Sequence, residues 1–327
     1  MSKTLTIWCN AGLPASVFAS LESRLLGHTL VISKVATPSN LVAGAHDPVL
    51  EQADVAFGQP DPQQVVDSPN LKWVHLTSAG YTRYDTAAVR EALANRGGIL
   101  TNSSSVYDEP CAEHTLAFMM ANARQLGEAF AVQSTTRGWP SSTIRIKSKL
   151  MFGQSVIIYG FGAIANRLVE LLAPFKMNIV GVRRQPRGDE PIKMVTHDEA
   201  EKLLGGVDQV INILPASPET ERYFDARRLS LINPQATYYN IGRGSTTDSA
   251  MLQAMLVDGK LAAAYLDVTD PEPLPPSDPL WTAPRCYITP HTAGGHAAEF
   301  EQLADHFAEN LKRYHEGTTM RDVVFGK

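Results

Sequence analysis

Short apolar runs alternate with helical patterns along most of this chain. Residues 4–9 form a β-like run. Residues 14–27 open on Pro14, a favourable first-turn residue, and place Val17, Leu21 and Leu25 on one face before Gly27. Apolar runs follow at 29–35, 53–57 and 71–76. A long helical pattern covers 109–131, where Ala112, Leu116, Met119, Met120, Ala123, Leu126 and Phe130 recur every three to four residues. The stretch 134–149 is polar and punctuated, which predicts a connecting loop.

The alternation restarts at 155 with SVIIY and then a helix over 164–175. Further strands are predicted at NIVGV (178–182), DQVINIL (208–214), TYYNIG (237–242), LAAAYLDV (261–268) and CYITP (286–290). A final helix over 299–316 carries Phe300, Leu303, Phe307, Leu311 and Tyr314 on one face. Strands that alternate with helices imply parallel sheets covered by helices, an α/β fold. The Pro-rich patch 271–279 must be a loop, because proline restricts φ and removes a donor.

Composition narrows the class without naming the chemistry. The 327 residues suggest two domains at about 150 residues each. A net charge of −5 argues against a nucleic-acid binder or a polybasic membrane-surface protein. Cys9, Cys111 and Cys286 are scattered and form no CxxC pair, which fits a reducing compartment. The N-terminal segment lacks a signal-peptide core, and no apolar run approaches a membrane span, so a cytoplasmic protein is expected. No His, Asp and Glu set has metal-ligand spacing, so no metal is expected.

The most informative segment is Gly160-Phe161-Gly162-Ala163-Ile164-Ala165, a G-x-G-x-x-A between an apolar run and an amphipathic helix. Gly160 permits a tight turn, Gly162 lets the backbone approach a pyrophosphate, and Ala165 is small enough for helix–strand packing. Free N–H groups at the helix start favour anionic phosphates. An Asp or Glu that reads a ribose 2′-hydroxyl is expected about 20 residues on. Arg183 and Arg184 stand there instead. A guanidinium can bind a 2′-phosphate bidentately, so NADP(H) is favoured over NAD(H).

Three more segments follow strand candidates: 239–245 around Arg243, 266–274 around Asp267 and Glu272, and 289–295 around His291. Each would lie at the carboxyl edge of a parallel sheet, where open α/β sheets bind ligands. With LTSAGYTRYD at 76–85, VYDEPCAEHTLAFMM at 106–120 and the 29-residue spacing from Arg243 to Glu272, the chain resembles the D-isomer-specific 2-hydroxyacid dehydrogenases, glyoxylate/hydroxypyruvate reductases among them. The resemblance implies that Arg243 clamps the substrate carboxylate and polarises the 2-oxo group. It makes His291 the acid/base and Glu272 the carboxylate that holds it. Asp270, two residues from Glu272, is the alternative partner.

The same resemblance assigns Ser78, Ala79 and Gly80 to the substrate carboxylate. It adds Leu214, Pro215, Ile241, Gly242, Asp267, Ala293 and Gly294 to Gly160, Gly162, Ala163, Ile164, Arg183, Arg184, Arg243 and His291 as cofactor contacts. It implies two Rossmann-like doubly wound domains with a cleft between them. One, flavodoxin-like, would be 1–102 plus 291–327 and bind substrate; the other, 103–290, would bind dinucleotide. Relatives are commonly dimers, and the helix 109–131 is the expected interface. Among the remaining histidines His114 reads as structural, His306 and His197 as surface, and His75 as a marginal candidate for the cleft. The rival function is a dinucleotide-sensing binding protein without turnover, like the family's corepressor relatives.

Overall fold

The structure is a computed structural model and describes residues 3–35, 37, 40 and 42–326. The chain begins with β1 (Thr6–Cys9), α1 (Ala15–Glu22), β2 (Thr29–Ile32), β3 (Val55–Gly58), α2 (Pro62–Asp67), β4 (Trp73–Leu76), α3 (Ala87–Asn95) and β5 (Ile99–Thr101). Three helices follow: α4 (Ser104–Ala123), α5 (Leu126–Ser134) and α6 (Ser141–Lys147). Next come β6 (Ser155–Tyr159), α7 (Ala163–Leu172), β7 (Asn178–Val182), β8 (Lys193–Val195), α8 (His197–Glu201) and β9 (Gln209–Asn212). They are followed by α9 (Ala226–Leu231), β10 (Thr237–Asn240), α10 (Ser249–Val257), β11 (Ala263–Leu266) and β12 (Cys286–Ile288). Helix α11 (Glu299–Glu316) and β13 (Val323–Phe325) complete the described chain.

Two compact units emerge, 1–107 with 295–327 and 108–294. The first holds a six-stranded sheet ordered β13-β5-β4-β3-β1-β2. Five of its strands are parallel in the flavodoxin-like order, and β13 adds antiparallel to β5. Alternate residues feed two cores. Ile7, Cys9, Val55, Phe57 and Trp73 pack with Phe307 and Leu311 of α11. Trp8, Ala56, Val74 and Leu76 pack with Val89 and Leu93 of α3. A strand buried on both faces reads as a continuous apolar run, which is why these strands were recognisable without alternation.

The second unit holds a seven-stranded parallel sheet ordered β12-β11-β10-β9-β6-β7-β8. Strand order reverses between β6 and β9, the position at which doubly wound sheets open a ligand crevice. Here too, alternate residues divide between faces. Ile157, Tyr159 and Val210 join one core, and Val156, Ile158 and Ile211 the other.

Several expectations need correction. The helix over 109–131 is two helices, because Gln125 adopts a left-handed φ of 56° between α4 and α5. The stretch 134–149 is not all loop, since α6 lies within it. The expected crossings at 102/103 and 290/291 fall at 107/108 and 294/295. His291 stays with the second unit because its N–H donates to Asp267 O at 2.8 Å and to Thr289 O at 3.0 Å. Strands β5, β8 and β13 have three residues each, too short for periodicity to mark them.

Candidate active site

The turn after β6 combines two constraints on glycine. Gly160 has φ +87°, and a Cβ there would lie 2.6 Å from Ile213 O in the loop after β9. Gly162 caps α7 with no side-chain acceptor on the first-turn N–H groups, and a Cβ on it would meet nothing within 4 Å. The N–H groups at Ala163 and Ile164 therefore begin a helix whose front is open. Ala165 is fully buried among Ile158, Ile211 and Leu168, where a larger residue would push the helix off the sheet. A bare helix N-terminus beside a glycine that leaves room for close approach fits a dinucleotide pyrophosphate.

The loop after β7 differs from the sequence expectation. Arg184 is exposed, but Arg183 is not a free cation. Its Nη1 donates to Glu190 Oε1 at 2.9 Å. Glu190 also accepts from the N–H groups of Arg187 (2.9 Å) and Gly188 (2.8 Å). Those backbone donors, with Arg183, pull the Glu190 carboxyl down to about 2. A carboxylate is thus present beside the strand end, supplied seven residues after Arg183 rather than at its position.

The Arg243 turn is built by its neighbours. The Asn240 side chain accepts from Gly242 N at 3.1 Å and donates to Arg243 O at 3.1 Å. Thr246 Oγ1 donates to the same carbonyl at 2.6 Å. A Cβ on Gly242 would lie 2.5 Å from Leu214 O, and one on Gly244 would overlap the Thr269 carbonyl. The loops after β9, β10 and β11 therefore pack backbone to backbone, bringing Leu214, Ile241, Gly242 and Arg243 together. Pro215 continues the β9 loop, its carbonyl accepting from Thr220 Oγ1 at 2.6 Å. The Asn212 side chain, linked to Leu214 N at 3.0 Å and Thr246 at 2.8 Å, ties two of these loops beneath the surface.

Asp267 fixes the segment that carries His291. Its buried carboxylate accepts from Thr289 Oγ1 (2.6 Å), Thr292 N (2.9 Å) and Ala293 N (3.0 Å). His291 itself is held at φ +53°, a left-handed conformation that a non-glycine residue adopts at a cost. Its Nδ1 lies 2.8 Å from Glu272 Oε2, while Glu272 Oε1 accepts from Thr269 N at 3.0 Å. Burial raises the Glu272 carboxyl, but the bonds from His291 and Thr269 and the charge of Arg243 outweigh it and leave the group below its usual range. The partner of His291 is Glu272 and not Asp270.

His114 does more than fill the core. Its Nε2 lies 3.1 Å from Thr289 Oγ1 and 3.8 Å from Asp267 Oδ1. Sequence reading missed Asn212, Asn240, Thr289 and Glu190. Only Asn240 had a local signal, an Asn two residues before a glycine, which suits a side-chain-capped turn. Asn212 and Thr289 act across loops that are distant in sequence, and Glu190 acts within the loop that follows Arg183.

In the first unit, Ser78, Ala79 and Gly80 follow β4. Their carbonyls are turned inward: Ser78 O accepts from Ser103 N (3.1 Å), Ala79 O from Asn102 Nδ2 (2.6 Å) and Gly80 O from Ser78 Oγ (2.7 Å). Among the described residues, no acceptor reaches the N–H of Ala79 or Gly80. Two half-buried N–H groups without an internal acceptor suit an anion. His75 lies beneath this edge, fully buried against Thr101 at 2.7 Å, and His306 is buried beside it. Neither is a surface or cleft group. Among the described residues, no group of three or more His, Cys, Asp or Glu could hold a metal ion. No described helix is long and apolar enough to cross a membrane.

A doubly wound unit with an open helix start at its switch point, and with Arg, Glu and His on adjoining loops, defines a nucleotide-binding oxidoreductase. The family model for the D-isomer specific 2-hydroxyacid dehydrogenase NAD binding domain matches residues 116–293, more than half of the chain. The chain belongs to the D-isomer specific 2-hydroxyacid dehydrogenase family. It is 29% identical to the glyoxylate reductase of Aeropyrum pernix over 79% of this chain and 77% of that protein. It is 28% identical to glyoxylate/hydroxypyruvate reductase B of Yersinia pseudotuberculosis, covering 94% and 95%. Its fold is similar to a D-isomer specific 2-hydroxyacid dehydrogenase from Xanthobacter autotrophicus in complex with NADPH and MES. There the TM-score is 0.79 and the identity 25%, covering 99% and 98%.

Proposed function

We propose that this chain is an NADP(H)-preferring reductase that converts a small 2-oxo acid of the glyoxylate/hydroxypyruvate kind to the D-2-hydroxy acid. The observation that carries the reading is the Glu272–His291 pair, 2.8 Å apart, in the unit that also carries Arg243. When bound, the nicotinamide supplies the hydride. The protein supplies charge and a proton. Glu272 holds the Nδ1 proton of His291 and stabilises the imidazolium, and His291 Nε2 gives its proton to the 2-oxo oxygen. Arg243 binds the substrate carboxylate and draws electron density from the oxo group. For the first unit we propose, by itself, that the N–H groups of the Ser78–Ala79–Gly80 segment bind a carboxylate.

NADP(H) preference rests on Arg183 and Arg184 after β7, and is supported by the NADPH in the Xanthobacter relative. The two anionic ligands account for local cations in a chain of net charge −5. We further propose a homodimer that joins through the α4–α6 region, where Trp139, Ile146, Leu150, Phe152 and Phe130 are all more than 60% exposed. A cytoplasmic location is the companion proposal, supported by three unpaired cysteines. A panel of 2-oxo acids, assayed with NADPH and NADH in parallel, tests the function.

A further inference from the structure

We infer that Glu190 is the positioning residue for cofactor choice, holding Arg183 in the conformation that receives a 2′-phosphate. The inference rests on the proposed phosphate role of Arg183. The carboxylate is nearly buried, with its side chain 6% exposed, while the Arg183 side chain is 24% exposed. The backbone of Arg183 is fixed separately, its N–H donating to Val195 O at 3.2 Å. The two anchors leave little of the side chain free to wander.

The pairing is monodentate, through Nη1 alone. A guanidinium has five N–H donors, so the remaining ones stay available to a phosphate. An unrestrained arginine would lose rotamer entropy on binding one. Glu190 removes part of that cost in advance. It also brings a negative charge toward the phosphate, which opposes binding. That charge is shared among Arg183, Arg187 N and Gly188 N, and the adjacent Arg184 is exposed.

The test uses the intact protein and two probes, 2′,5′-ADP and 5′-ADP, which differ in the 2′-phosphate. Dissociation constants are measured by titration calorimetry for the wild type, Glu190→Ala, Glu190→Gln, Arg183→Ala and the Arg183→Ala/Glu190→Ala pair. Arg183→Ala is expected to weaken 2′,5′-ADP roughly tenfold or more, the scale of hydrogen bonds to a charged group. Glu190→Ala and Glu190→Gln are expected to weaken it about threefold to tenfold with 5′-ADP unchanged, and Glu190→Ala to have no further effect once Arg183 is gone. Tighter 2′,5′-ADP binding in either Glu190 variant would overturn the inference and make Glu190 a competitor of the phosphate. Equal weakening of both probes would also overturn it, reducing Glu190 to a loop anchor. If Arg183→Ala leaves both probes unaffected, the phosphate reading of Arg183 itself fails.

Discussion

The Nδ1 of His291 and the Oε2 of Glu272 lie 2.8 Å apart, although 19 residues separate them in sequence. A carboxylate at that distance requires the proton on Nδ1, which leaves Nε2 as the nitrogen that exchanges a proton with substrate. His291→Ala should lower kcat by about 10²-fold or more, the scale of general acid–base catalysis. Steady-state kinetics check the loss.

The same pair predicts a pH response. The Glu272 carboxyl is depressed, so it favours the native site at pH above the unfolded carboxyl value of about 4.3, and that contribution disappears as pH falls through its native value. The pair should therefore survive acidification that protonates an ordinary glutamate. Glu272→Gln should lower kcat throughout the profile and abolish any acid limb that belongs to Glu272. An unchanged kcat–pH profile in that variant would rule out the partnership.

Two glycines at the same edge of the second sheet should fail in opposite ways. A Cβ on Gly162 meets open space, so Gly162→Val should fold normally and lose dinucleotide affinity by roughly tenfold or more. A Cβ on Gly244 overlaps the Thr269 carbonyl, so Gly244→Ala should lower stability by about 2 kcal/mol or more. Denaturant titration beside nucleotide titration separates the two.

This contrast also shows what was legible beforehand. The G-x-G-x-x-A turn could be read because its chemistry is local: a strand, a tight turn and a helix start in consecutive residues. The apolar strands were legible because both faces of each sheet are buried. Arg243, Glu272 and His291 stood out through resemblance, each after its own strand. Asp267's grip on Thr292 and Ala293, or Glu190's on Arg183, could not be read, since each depends on how loops fold back. The break at Gln125 escaped as well, because the apolar spacing runs on through it while the backbone turns left-handed.

Buried histidines in the first unit predict a second pH effect, this time on stability. Desolvation lowers His75 well below its usual range, and His306, with its ring 5.0 Å away, is lowered too. His306 faces Asp322 at 3.1 Å, which partly offsets its burial, and Arg321 and Glu309 are the other charges acting on it. The unfolded chain therefore binds more protons than the native one below about pH 6.5, and stability falls as pH drops from that value. Unfolding free energies measured at pH 7 and pH 5 should show the loss, and His75→Gln should reduce the difference.

The apolar surface of α4–α6 predicts association. Trp139 is 92% exposed and Ile146 85% exposed, values unusual for such residues on a monomer. Sedimentation should give a dimer, and Trp139→Glu combined with Ile146→Glu should shift it toward monomer. A wild-type monomer at micromolar concentration would exclude the interface.

The most direct test of the central claim is nucleotide oxidation by the purified protein with glyoxylate, hydroxypyruvate and larger 2-oxo acids, run with NADPH and NADH side by side. The account predicts turnover with the smallest acids, faster with NADPH, and lost in both Arg243→Ala and His291→Ala. Tight dinucleotide binding with no oxidation by any 2-oxo acid would contradict it.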